Sequence, residues 1–428
     1  MYEGLLKNPI AKGIIVLAGG TAGAQLIIFV TLPVITRLYV PEQFGILSVY
    51  SSFLSILLIN ASLRYEHAIP LVQTEKEALQ LLILSVIIII AIFVFLLLFG
   101  QSGLLAHLPS DLQSIKDYWY FIPIGFLIAG LYQVFVEFGV RKKAYTAIMK
   151  TKFSQAISQV VIQITLGVLT GATYGLLIGH LVGLSAGIVN LLIMVIKEKN
   201  ERIKISYNTL KNTSLEHKNY PKYLVLAGFF NVGARYLPSI LLATLYGPAA
   251  AGYYFLAERV LNAPLLLVSD SIGKVVYGEC AEITRLNRSV KSFVQKTIFK
   301  LIIVGALIAI FFYFLGELLF FIVFGEQWIV SGELAKILCL LFLFRFVTSP
   351  IAKLLNLFEK QRLNMLFQVA LFSISVISLL IAYYMGLDLY NAITIYTVFT
   401  SVIYILYTIS LNKVLTQCAH VKVANNIV

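Results

Sequence analysis

Acidic residues are scarce in this chain: 428 residues include 20 Asp and Glu against 33 Lys and Arg, and charged residues of both signs make up only 12%. Soluble domains carry roughly 25% charged and about 45–50% apolar residues, whereas this sequence is 59% hydrophobic with a mean hydropathy of +0.89. Such a composition excludes an ordinary soluble fold. The lack of any low-complexity tract or charged tail also excludes a disordered chain. Cysteine is nearly missing: Cys280, Cys339 and Cys418 stand far apart with no C-x-x-C pair, so neither a disulfide framework nor a structural zinc site is expected. The five histidines (His67, His107, His180, His217, His420) show no ligand spacing such as H-E-x-x-H and read as surface or packing residues. No metal or cofactor is expected. A phosphate-binding G-x-x-x-x-G-K-[ST] loop is absent, which argues against ATP hydrolysis by this chain. There is no D-x-D pair on a soluble loop and no loop long enough to fold as a catalytic domain, which argues against an enzyme of sugar transfer or polymerisation. The net charge of +13 would point to nucleic acid on a soluble domain, but here the basic residues sit in short loops between apolar runs. No nucleic-acid partner is expected.

What the sequence has in abundance is apolar runs of membrane-spanning length, about 20 residues each. Residues 13–36 contain no charge and form a first span. Others follow at 44–63, 78–100 and about 118–137, and the uncharged stretch 153–196 is long enough for two helices turning at 171–175. Six more fall at about 223–246, 250–273, 297–320, 334–355, 363–385 and 392–411. The expected fold is therefore all-α, a polytopic membrane protein of about twelve transmembrane helices. Loop charge tests the register. All but six of the 33 Lys and Arg fall in loops on one side, among them Arg64 and Lys76, Arg141 to Lys152, Lys197 to Lys222, and Lys353 to Arg362. The positive-inside rule then makes both termini cytoplasmic. Of the six exceptions, Arg235, Arg259 and Arg345 lie inside predicted spans.

The octapeptide Leu38-Tyr39-x-Pro41-x-x-x-Gly45 recurs as Leu245-Tyr246-x-Pro248-x-x-x-Gly252, each copy joining the first two spans of a half. Two six-helix bundles, residues 1–200 and 223–428, joined by a charged cytoplasmic linker at 201–222 and enclosing a central cavity, are the expected organisation. Parallel repeats of this kind are common among transporters.

Ionisable groups inside a span cost at least ~2.5–3.5 kcal/mol at the centre and so face a cavity or a partner. Asn231, Arg235 and Ser239 are spaced i, i+4, i+8; Glu258 and Asn262 share a side with Arg259 next to them; Arg345, Ser349, Lys353 and Asn356 form a third stripe; Gln133, Glu137 and Arg141 form a fourth. Each set marks one face of a helix. Arginine presents a permanently charged planar fork suited to phosphate oxygens. Hence Arg235, Arg259, Arg345, Asn231, Asn262 and Lys353 are the candidate substrate-binding residues, and Glu258 and Glu137 the candidate proton- or ion-coupling residues. The plainer readings are internal ion pairing for Glu258 and Arg259, snorkelling or topology for Lys353, Arg141 and Arg64, and a local pair of Asp270 with Lys274.

The segments Arg37-Leu38-Tyr39-Val40-Pro41-Glu42-Gln43-Phe44-Gly45 and Leu63-Arg64-Tyr65-Glu66-His67-Ala68-Ile69 resemble the first helical hairpin of the polysaccharide biosynthesis flippases. These are the Wzx-type O-antigen or capsule-unit transporters of the multidrug/oligosaccharidyl-lipid/polysaccharide exporter superfamily. The resemblance implies a substrate of undecaprenyl-diphosphate-linked oligosaccharide, carried across the bacterial inner membrane by alternating access. It further implies a cationic lumen, coupling to H+ or Na+, and a polysaccharide polymerase and chain-length regulator as partners. Two alternatives stay open at this stage. A cation-coupled multidrug exporter of the same superfamily would need an acidic lumen, for which only Glu137, Glu258 and Asp270 are on hand. A membrane polymerase or ligase of lipid-linked sugars would need a large outer loop, and none exceeds about 17 residues.

Overall fold

The computed structural model describes residues 9–102, 116–197, 206–286 and 288–424. Among the described residues the secondary structure is helical, with no strand. That is the outcome bilayer physics demands of long apolar segments, because a helix satisfies its backbone polar groups within the segment.

The first compact unit runs from Met1 to Val232 and the second from Gly233 to Val428. In the first, α1 (Pro9–Leu38), α2 (Pro41–Leu58), α3 (Glu75–Gln101), α4 (Phe121–Arg141), α5 (Tyr145–Thr170) and the consecutive α6 (Thr173–Ser185) and α7 (Ile188–Lys197) supply six span-length segments. A short helix, α8 (Tyr207–Glu216), follows in the expected linker. The helix α9 (Val225–Tyr246) begins in the first unit and ends in the second. It is followed by α10 (Pro248–Arg285), α11 (Lys291–Phe324), α12 (Ile329–Ala352), α13 (Gln361–Tyr384) and α14 (Leu389–Ala424).

Among the described residues, ten segments are long and apolar enough to cross a membrane. The other two long helices, α2 and α10, carry the polar load: Pro41, Glu42, Gln43 and four serines in α2, and Glu258, Arg259, Asp270 and Lys274 in α10. Together they make the twelve. Several boundaries differ from the sequence reading: α5 begins at Tyr145 rather than 153, α14 runs to Ala424 rather than 411, and the ends of α2 and α10 move as well. α2 stops at Leu58, since residues 59–64 turn and Leu63 and Arg64 take left-handed conformations (φ +50° and +67°). α10 runs past residue 273 to Arg285, because its last three turns are polar and continue beyond the apolar stretch.

The repeated octapeptide is a helix-start device. Pro41 and Pro248 each open a helix, where the missing N–H is no loss and φ is preset. In the first copy, Tyr39 donates its hydroxyl to the Gln163 carbonyl at 2.7 Å, and Gln43 donates to the Gly171 carbonyl at 2.8 Å. Gly171 (φ +59°) is the left-handed residue that ends α5, as the predicted 171–175 turn requires. In the second copy, Tyr246 packs edge-on against Tyr383 instead.

Within each unit the fourth span is the axial one. The most apolar window of α4 is 56% buried and that of α12 is 61% buried, against 22–39% for the other candidate spans. α4 packs on α2, α3, α6 and α7, and α12 on α10, α11 and α14. Polar side chains on α4 and α12 are thus the ones best kept from lipid.

Candidate functional site

Two charged constellations occupy these axial helices, one in each unit. In the second unit, Arg345 of α12 and Glu258 of α10 form an ion pair, Nη1 to Oε1 at 3.2 Å, with side chains 19% and 20% exposed. One turn on, Asn262 donates its amide to the Glu258 main-chain carbonyl at 2.8 Å. Pro264 follows in the same helix; it lacks an N–H and cannot close the backbone bond to residue 260. Tyr254 lies one turn before Glu258 and its hydroxyl is 3.4 Å from that of Tyr396 on α14. One turn beyond Arg345, Thr348 and Thr408 share a hydrogen bond of 2.9 Å that ties α12 to α14.

A cavity of about 20 Å³ opens beside the pair, lined by Tyr254, Glu258, Leu261, Asn262, Phe342 and Arg345 among others. That is room for about one water molecule. The charge of Arg345 is therefore met by a carboxylate.

The structure brings Glu258, Asn262 and Arg345 together. It does not add the other sequence-predicted residues to them. Arg259, one residue round the helix from Glu258, lies over the Phe255 ring at 5.6 Å, and Arg235 over Tyr236 at 5.7 Å. Neither forms an ion pair among the described residues. Lys353 caps the C-terminus of α12, about 12 Å along the helix from Arg345 at 1.5 Å per residue. Asn231 is exposed on α9. The side chains of Asp270 and Asn356 lie outside the described residues.

Glu137 sits in the first unit, near the end of α4. Its Oε1 is 3.2 Å from His67 Nδ1, and His67 Nε2 is 3.1 Å from Arg64 Nη1. Glu66, only 3% exposed, accepts the Ser62 hydroxyl and has Oε1 3.7 Å from His67 and 4.0 Å from Arg64. The short helix Tyr65–Ala68 positions these side chains. Its pairing with Glu137 raises the His67 pKa above the ordinary histidine value; burial and Arg64 pull the other way and the charges of Glu66 and Glu137 add to the rise. His67 has no metal-ligand spacing to mark it in the sequence. The signal that finds it is the R-x-E-H order of the motif, which places cation, anion and imidazole on one short turn.

Arg141, from the same stripe as Glu137, has a structural task. It donates to the carbonyls of Ile69 and Val72 at 3.1 and 2.5 Å and pairs with Glu75 at 3.3 Å, which fixes the loop entering α3. Among the described residues, Glu77, Glu216 and His217 form a group whose ligand atoms lie within 4.8 Å of one another. His217 already hydrogen-bonds Glu77 at 3.1 Å and Glu216 is exposed, so the contact serves to dock α8 on α3.

The family model described as polysaccharide biosynthesis protein matches residues 34–333. The chain belongs to that family. The matched stretch contains both copies of the repeat, the His67 motif, Glu137 and Glu258, and ends just before Arg345. No curated protein sequence matches the chain. Solved structures share its fold at low identity. A multidrug resistance MATE family transporter of the MOP superfamily, inward-facing, superposes with a TM-score of 0.72 at 12% identity, over 92% of this chain and 95% of that one. The lipid II flippase MurJ in an inward closed conformation gives 0.66 at 12% identity, over 96% and 91%. A MOP superfamily transporter from Pyrococcus furiosus, described as having a binding pocket of reversed polarity, gives 0.63 at 13% identity, over 96% and 97%. This member of the polysaccharide biosynthesis family is thus a multi-pass membrane protein with the fold of MATE transporters and MurJ.

Proposed function

We propose that this protein is a flippase that carries undecaprenyl-diphosphate-linked oligosaccharide from the cytoplasmic to the outer leaflet of the bacterial inner membrane, with both termini cytoplasmic. It would serve O-antigen, capsule or a related polysaccharide. The observation that carries the reading is the Arg345–Glu258 pair on the axial helix of the second unit, taken with membership of the polysaccharide biosynthesis family. A guanidinium held by a carboxylate can exchange that carboxylate for a phosphate, the anion it matches in bidentate geometry. Protonation of Glu258 removes the competitor. Proton uptake by Glu258 and anion capture by Arg345 then favour each other, as linked equilibria must.

Arg235, Arg259, Asn231, Asn262 and Lys353 would meet the diphosphate and sugar hydroxyls along the path as the two six-helix units alternate access. The substrate needs such a path because unpaired charge in hydrocarbon costs tens of kcal/mol in the Born limit. A polysaccharide polymerase and chain-length regulator are the partners expected downstream. The drug-exporter alternative requires acidic groups open to a cationic ligand, whereas Glu258 faces Arg345 and Glu137 faces His67. The test is deletion of the gene. Lipid-linked oligosaccharide should accumulate on the cytoplasmic leaflet; normal surface polysaccharide with no accumulation would exclude the function.

A further inference from the structure

The contacts of His67 determine where its ring proton sits. A guanidinium carries only N–H donors, so the 3.1 Å contact of Arg64 Nη1 with Nε2 requires a lone pair on that nitrogen. The proton is therefore on Nδ1, directed at the Glu137 carboxylate 3.2 Å away. A second proton can enter only at Nε2, and it makes that nitrogen a donor. Two donors of like charge then face each other at hydrogen-bond distance, which is repulsive. The acceptor at hand is Glu66 Oε1, 3.7 Å from the same nitrogen. Its other oxygen is already held by Ser62, so the carboxylate is in place.

We propose that His67 is a proton-binding site whose loading transfers the Nε2 contact from Arg64 to Glu66 while the Glu137 bond is kept, so that a proton releases Arg64. With a neutral imidazole the cluster holds one cation and two carboxylates, an excess of negative charge that the imidazolium balances. The raised pKa of His67, caused first by the Glu137 hydrogen bond, agrees with this direction.

Release of Arg64 has a mechanical consequence. Its Nη2 lies against Gly228 of α9 so closely that a Cβ there would come within 2.7 Å, and its Nε is buried without a partner. Arg64 is also held in a left-handed conformation. The contact bears on the start of α9, the helix that begins in one unit and ends in the other. The surrounding charges are otherwise engaged: Arg141 and Lys142 on Glu75, and Tyr65 on the Ser214 carbonyl. Lys222 lies on the π-turn Tyr220–Leu224, which packs against Tyr65–Ala68, and is a further cation among the described residues there.

The inference concerns proton binding and does not depend on the cargo, so its test does not read transport. Diethyl pyrocarbonate acylates histidine only in its neutral form, and peptide mass spectrometry of the purified full-length protein between pH 5.5 and 8.5 yields a midpoint for His67 with His180 and His217 as internal controls. The expected midpoint lies above the ordinary ~6.5. It falls in Glu137→Gln by a tenfold or greater loss of proton affinity, falls in Glu66→Gln, and rises in Arg64→Met. Hydrogen exchange over residues 225–232, corrected for intrinsic rate, rises below the midpoint in the wild type and loses that step in His67→Gln. Midpoints unchanged in Glu137→Gln and Arg64→Met, or no step over 225–232 in the wild type, would overturn the switch.

Discussion

Arg345 and Glu258 meet at 3.2 Å between α12 and α10, each about one-fifth exposed. A pair so placed lies between two regimes. Exposed ion pairs contribute about 0–1 kcal/mol, while removing one partner of a deeply buried pair costs about 3–5 kcal/mol because the other charge is left stranded.

Glu258→Gln should accordingly destabilise the detergent-purified protein by about 1.5–3 kcal/mol, the range for hydrogen bonds to charged groups. The double variant Glu258→Met/Arg345→Met should regain most of the loss, since no stranded charge remains. Thermal unfolding of these two variants and of the single variants Glu258→Met and Arg345→Met checks this. Additive losses in the double variant would mean the two side chains act independently.

The two copies of the repeated octapeptide should respond differently to loss of the tyrosine hydroxyl. Tyr39 bonds the Gln163 carbonyl at 2.7 Å, so Tyr39→Phe leaves a buried acceptor short and costs about 1–3 kcal/mol. The Tyr246 hydroxyl is buried without a partner. Tyr246→Phe should therefore be neutral or slightly stabilising. Equal effects at both sites would contradict the contrast.

Close packing of α11 on α12 predicts another contrast. A Cβ at Gly332 would stand 2.7 Å from the Glu317 backbone, whereas nothing lies within 4 Å of one at Gly278. Gly332→Ala should destabilise, because backbone must shift. Gly278→Ala, inside α10, should stabilise by up to about 1 kcal/mol through helix propensity. Paired melting curves decide between them.

His67 predicts a pH dependence of stability. Its folded pKa is raised, so its contribution is fully present below the unfolded value near 6.5 and is lost as pH rises through the folded pKa. The difference in Tm between wild type and His67→Gln should be larger at pH 5.5 than at pH 8.5. A constant difference would show that His67 binds its proton no better in the folded chain.

The spans were legible in the sequence because the bilayer imposes one requirement, length with apolarity, on every helix. Their ends were less so. Residues 59–63 carry no charge and so extend the uncharged stretch, yet the chain turns after Leu58 and takes left-handed conformations at Leu63 and Arg64, and no hydropathy average senses a backbone angle. The site was half legible. Spacing of four residues placed Glu258 and Asn262 on one face of α10, but periodicity describes a single helix and is silent on which face of α12 meets it. The Arg345–Glu258 pair is a contact across 87 positions, so it needed the fold. Likewise the Gln133–Glu137–Arg141 stripe was visible, while its division into a histidine partner and a loop clamp was not.

In the proposed function Arg345 is the exchangeable cation of a lipid-diphosphate carrier. Purified protein reconstituted into liposomes with undecaprenyl-diphosphate-linked oligosaccharide in one leaflet permits a direct measurement: the fraction of substrate that becomes accessible to a probe on the opposite side over time. The wild type should move substrate, faster with an imposed pH gradient, and folded Arg345→Ala should not. Wild type without activity, or Arg345→Ala with undiminished activity, would contradict it.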